Sequence, residues 1–168
     1  AAHSAMLEPI LDDFRRFVAQ VRLSPPRLPL VSNLTGTWMT AAEATSPDYW
    51  VKHLRHTVRF ADGVRTVAAD PRRVLLEVGP GRTLATLARL HPERPTGQQV
   101  FTSLRHPDEQ VADVAFMLGM LGRLWACGVD VDWDGLHRGE TRRRIPLPTY
   151  AFRRRSHWIE PGRAIRAE

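Results

Sequence analysis

The stretch Val74-Leu75-Leu76-Glu77-Val78, running into Gly79-Pro80-Gly81 and then Leu84, Leu87, Ala88 and Leu90, restricts the possible architecture more than any other part of the chain. A continuous apolar run closed by a glycine turn reads as a strand covered on both faces, and the three-and-four spacing after it reads as a helix. With a second short strand expected at Val100 to Leu104, the middle of the chain is an α/β unit. Gly79-Pro80-Gly81 lacks both the Walker lysine and the third glycine of the dinucleotide fingerprint. It is therefore expected to be a turn where backbone packs closely, not a phosphate cradle.

The first segment is a second strong pattern. Leu7, Ile10, Leu11, Phe14, Phe17, Val18 and Val21 follow a helical spacing, with acids early and arginines late as the helix dipole prefers. Pro9 requires that helix to begin shortly before it. His3-Ser4 stands just ahead, so the imidazole is anchored by structure behind it and free to project in front. Leu28 to Leu34 reads as a short, mostly buried strand. Ser46-Pro47 reads as an N-cap followed by proline at the first helical position, opening a helix through Tyr49, Trp50, Val51 and Leu54. Phe60, Ala61, Val64, Val67 and Ala68 give another helical face that stops at Asp70-Pro71.

Near Arg105-His106-Pro107-Asp108 the pattern changes. Val111, Val114, Ala115, Leu118, Leu121, Leu124 and Trp125 predict one long helix with Gly128 as its C-cap. Val129, Val131 and Trp133 alternate with Asp130, Asp132 and Asp134, which predicts a half-exposed strand. The arginine-rich end, from Arg142 to Ile159, holds Pro146 and Pro148 among large apolar residues and must lie extended. Leu147, Tyr150, Phe152 and Trp158 are expected to be buried beneath it.

At 168 residues and 43% hydrophobic, the chain can bury a core of one domain or one and a half. It has no apolar run long enough to span a bilayer and no signal-peptide pattern, so a soluble, cytoplasmic protein without a membrane partner is expected. Cys127 is the single cysteine and excludes an internal disulfide. His53 and His56 lie three apart on a helix but lack a third ligand, and the aspartates at 130, 132 and 134 lack the glycine and glutamate of a calcium loop. No metal site is expected. The net charge of +6 points toward acidic partners, and arginines among aromatics can stack single-stranded nucleic acid. Arginines are nevertheless scattered through most segments, and nucleic acid is not the expected partner.

Taken in order, His3-Ser4 with Met6-Leu7-Glu8-Pro9, then Ser32-Asn33-Leu34-Thr35-Gly36, then Tyr49-Trp50-Val51-Lys52-His53-Leu54-Arg55 with Val58-Arg59-Phe60, then Glu77-Val78-Gly79-Pro80-Gly81, resemble the C-terminal part of the acyltransferase domain of modular type I polyketide synthases. The same domain is similar to the malonyl-CoA:acyl-carrier-protein transacylase of fatty acid synthesis. Leu147-Pro148-Thr149-Tyr150-Ala151-Phe152 resembles the end of the linker that follows that domain and returns toward the ketosynthase.

The resemblance implies an α/β fold: part of the large α/β-hydrolase-like subdomain over residues 1–105, then a post-acyltransferase linker over 106–168 with a long helix and an extended tail. It implies acyl transfer from an acyl-CoA of the malonyl type, through an acyl-serine, to the phosphopantetheine thiol of an acyl carrier protein. By the same resemblance His3 is the base, the backbone carbonyl of His53 orients it, the His53 side chain is incidental, and Asn33 lies near the active-site floor as a structural or substrate-binding residue. No bound cofactor is implied. None of Ser4, Ser24, Ser32, Ser46, Ser103 and Ser156 sits in a Gly-x-Ser-x-Gly elbow, so the nucleophile is expected on an N-terminal remainder of the acyltransferase. The expected partners are that remainder, the ketosynthase with its linker domain, and the carrier protein. The competing expectation is a non-catalytic remnant serving as a docking scaffold for a ketosynthase.

Overall fold

The computed structural model describes residues 2–141, 143–155 and 157. The chain divides into two compact units, Ala1–Val131 and Asp132–Glu168. The long helix expected to open the linker belongs to the first.

The first unit opens with a 3-10 helix, Ala5–Ile10, that passes into α1, Leu11–Val18. Proline at position 9 is accommodated because it falls in the 3-10 turns ahead of the α-helical ladder. The apolar face splits. Leu7, Leu11, Phe14 and Val18 turn inward at four-three-four spacing, while Met6, Ile10, Phe17 and Val21 are exposed. After α2, Ala41–Ala44, which is started by a reciprocal capping box between Thr40 and Glu43, comes α3, Pro47–Arg55, with Pro47 at its head as expected. α1 and α3 pack together, with Val18, Tyr49 and Val51 buried.

The predicted strand at 28–34 does not form. Leu28 and Leu30 are exposed, and the segment makes one isolated antiparallel bridge, Val31 to Trp38. Pro29 offers no N–H for a ladder, so the apolar run cannot become an inner strand.

The α/β unit is present. α4, Phe60–Ala68, leads to β1, Leu75–Glu77; then come α5, Thr83–Arg89, and β2, Val100–Thr102. The two strands pair in parallel, Leu75 opposite Val100 and Glu77 opposite Thr102, with a helix in the crossover as parallel pairing requires. Val64, Ala85, Ala88 and Val100 form the buried core with Phe60 and Leu75 against it. Contrary to expectation, β1 is not covered on both faces: Leu76 is exposed and Val78 is 82% exposed. Among the described residues, neither strand has a second partner. An open apolar cleft of about 410 Å³, walled by Val67, Leu76 and Leu84, runs beside β1.

The glycine turn also differs in its reason. Gly79 and Gly81 have φ of 144° and 91°, and a Cβ on either would meet open space. They are needed for a left-handed backbone path, not for close packing. Glu77 reaches over the turn and its carboxylate accepts the N–H groups of Leu84 and Ala85, at 3.2 and 2.8 Å. A carboxylate of the protein itself thus occupies the anion position at the head of α5.

α6, Asp113–Ala126, ends as the sequence suggests. Gly128 adopts φ of 82°, its N–H bonds the Trp125 carbonyl, and the Val129 N–H bonds that of Leu124, the paired bonds of a Schellman motif. The expected strand over 129–134 does not form; α7, Trp133–Leu136, lies in the second unit, where the Asp132 carboxylate accepts the Gly135 N–H and caps a helix. The tail from 143 to 155 carries no helix or strand, and Leu147, Tyr150 and Phe152 are all exposed, against expectation. A stretch without helix or strand has no layer of its own to bury them; the rings of Tyr150 and Phe152 meet edge to face at 4.8 Å, and the Phe152 N–H donates to the Tyr150 carbonyl. Trp158 lies outside the described residues. No helix among the described residues is long and apolar enough to cross a membrane.

Candidate active site

Three segments converge at the start of the chain. His3 stands in a left-handed backbone conformation, φ 58°, the only non-glycine residue with positive φ among those described. Such a conformation costs about 1 kcal/mol or more for a residue with a Cβ and persists only where neighbours enforce it. Two bonds from the end of α3 do so: the His3 N–H donates to the Leu54 carbonyl at 3.0 Å, and ring Nδ1 lies 2.9 Å from the His56 carbonyl. The side chain of Glu8 ties the same segments together by accepting both Nε and Nη2 of Arg55.

A carbonyl can only accept, so Nδ1 carries the proton of that bond, and in the neutral ring Nε2 holds the lone pair. Among the described residues Nε2 has no hydrogen-bond partner, and the ring is partly exposed. This arrangement presents a proton acceptor of fixed tautomer to whatever stands in front of it.

The sequence expectation for the orienting group is corrected. His56, not His53, supplies the carbonyl. The reason is where α3 ends: its last residue is Arg55, and His56 turns to extended geometry at ψ 159°, which swings its carbonyl out of the helical row toward His3. The His53 carbonyl stays in the helical last turn. The His53 side chain lies beside that of His3. Its ring stands 5.5 Å from that of His3 at 87° between planes. Burial, and then the nearby His3, hold the His53 imidazole below its usual pKa, which favours the neutral ring.

Behind His53 the structure is densely tied. Tyr49 stacks on it, and Trp50 meets it edge-on at 5.8 Å while its indole N–H donates to the Ala44 carbonyl. The Tyr49 hydroxyl lies 2.6 Å from that of Ser32, which is fully buried and accepts the N–H groups of Leu34 and Thr35. Sequence reasoning placed Ser32 and Tyr49 in motifs without connecting their hydroxyls. It had no means of finding backbone carbonyls.

Asn33 is not brought into contact with His3. Its side chain is exposed, its carbonyl accepts the Arg59 N–H at 2.8 Å, and it borders a separate cleft of about 190 Å³ with Phe60, Gly63 and Val67. His56 directs its own ring Nδ1 to the Lys52 carbonyl, and no group of three or more potential metal ligands occurs among the described residues.

No family model matches the chain. Over all 168 residues it is 39% identical to a component of the phenolphthiocerol/phthiocerol polyketide synthase of Mycobacterium tuberculosis, of which it covers 11%. Among solved structures, it aligns to the acyl transferase domain of ZmaA with a TM-score of 0.80 and 41% identity, over 87% of this chain and 34% of that one. The acyltransferase domain from the second module of the salinomycin polyketide synthase gives a TM-score of 0.73 and 36% identity, over 89% of this chain and 34% of that one. The chain thus spans about a tenth of the synthase it matches and about a third of each acyltransferase domain.

Proposed function

We propose, for a chain that belongs to the acyltransferases of polyketide synthases and forms part of one, that it supplies the general base of a serine–histidine acyl transfer. The observation that supports this reading is the pinned imidazole: Nδ1 is committed to the His56 carbonyl and Nε2 is left open. A serine hydroxyl on the remainder of the domain gives its proton to Nε2 as its oxygen attacks the thioester carbonyl of an acyl-CoA of the malonyl type. The carbon–sulfur bond breaks, and the departing CoA sulfur takes the proton back from His3.

In the second half the thiol of a carrier protein's phosphopantetheine arm gives its proton to Nε2 and attacks the acyl-serine. The ester carbon–oxygen bond breaks and the serine oxygen recovers the proton. The carbonyl of His56 serves where other enzymes place a carboxylate: it holds the tautomer and orientation, and its partial charge faces the imidazolium that forms transiently. A ketosynthase that shares the carrier protein is the expected neighbour. The test is His3→Ala in the complete acyltransferase. Loading of radiolabelled malonyl-CoA onto the enzyme should fall by roughly a hundred- to ten-thousandfold. Loading at the native rate would end the assignment and leave the docking-scaffold alternative standing.

A further inference from the structure

His3 is held at two points, its backbone N–H and its Nδ1, both on the end of α3. Two attachments define an axis and leave the ring free to rock about it, which would sweep Nε2 across the opening. The third restraint is aromatic. The ring of His53 meets that of His3 at 87° and 5.5 Å, the perpendicular arrangement that ring quadrupoles favour. We infer that His53 is a positioning residue: its ring, backed by Tyr49 and through it by the buried hydroxyl of Ser32, fixes the plane of the His3 imidazole and so the direction in which Nε2 points. This rests on the reading of His3 as the base.

The backing is what makes His53 a wall and not a passenger. Tyr49 is 5% exposed, lies at 24° to the His53 ring, and its hydroxyl is anchored to a serine whose oxygen is held by two backbone N–H groups. Trp50 closes a second side and is itself tethered at its indole N–H. Other side chains of α3 and its end are engaged elsewhere: Arg55 with Glu8, Asp48 with Arg15, and the His56 ring with the Lys52 carbonyl. Partial burial, and then His3 itself, hold the His53 imidazole below its usual pKa, which disfavours a second positive charge beside His3.

The experiment compares native enzyme, His3→Ala, His53→Ala, His53→Phe and Tyr49→Phe in the complete acyltransferase, measuring kcat and KM for malonyl-CoA and thermal unfolding. A misdirected base costs turnover and not affinity, so His53→Ala should lower kcat about tenfold or more with KM within about twofold. His53→Phe retains a ring against His3 and should restore kcat to within about threefold of native. Native kcat in His53→Ala, a loss confined to KM, or a His53→Phe enzyme as slow as the alanine variant would each overturn the inference. Should His53→Ala not fold, Tyr49→Phe decides, because it cuts only the tie to Ser32: lowered kcat at constant KM supports the inference and native kcat overturns it. If His3→Ala itself turns over normally, the base assignment has failed and this inference with it. If only His3→Ala is impaired, the base assignment stands and the positioning role alone is lost.

Discussion

Gly36 is the position where a single methyl group should do the most measurable damage. It is buried, has φ of 74°, donates its N–H to the Ser32 carbonyl and accepts the Thr66 hydroxyl at its own carbonyl. A Cβ there would overlap the Cβ of Asp62 and lie 3.3 Å from the Asp62 carbonyl carbon. Asp62 cannot easily retreat, since its carboxylate binds both Arg59 and Arg65, and Arg65 binds Glu93 in turn. Gly36→Ala therefore carries two costs, about 1–2 kcal/mol for a left-handed alanine and about 1–3 kcal/mol for overpacking.

Gly97 isolates the first. Its φ is 85°, yet no heavy atom lies within 4 Å of the position its Cβ would take. Urea denaturation of the acyltransferase containing each variant should show Gly97→Ala weakened by about 1–2 kcal/mol and Gly36→Ala by about 2–5 kcal/mol, at unchanged denaturant slope. Equal losses in the two variants would refute the claim that the Gly36 turn is pressed against α4.

Two further outcomes can be checked in the same protein. Glu77→Ala should cost about 1–2 kcal/mol, because it leaves the first N–H groups of α5 uncapped; unchanged hydrogen-exchange protection at Leu84 and Ala85 would show that the cap contributes nothing. Stability should also fall as pH drops below about 6.5, the value for an unhindered imidazole. There the unfolded chain protonates His53 while burial, and then His3, hold the folded ring neutral to lower pH, so the unfolded state binds more protons. Asp62 and Asp70, held below the usual carboxylate range chiefly by hydrogen bonds from Arg59 and Arg72, add their losses only in stronger acid. Urea midpoints from pH 8 to pH 5 should decline less for His53→Phe than for the native protein, and parallel declines would count against the assignment.

Local chemistry was legible where it was decided locally. Ser46-Pro47 marks the start of α3, Gly128 marks the end of α6, and the 74–78 run is the strand of an α/β unit. Failures came where a polar group or proline overrode the pattern: Pro29 withheld a ladder donor, and Asp132 capped a helix where alternation predicted a strand. His3 could be singled out by its setting at the head of an amphipathic segment and by family resemblance. What orients it could not, because the choice between the carbonyls of His53 and His56 depends on a single change of ψ after Arg55. The aromatic backing of His53 was likewise invisible, since it takes the Ser32 hydroxyl from a distant turn to anchor Tyr49.

The parallel pair β1–β2 has a practical consequence. Two short strands whose outer ladders are bare among the described residues, with Leu76 and Val78 exposed on or beside β1, form a template on which an extended peptide can pair. Overproduced by itself, this polypeptide should self-associate through that seam and partition into inclusion bodies.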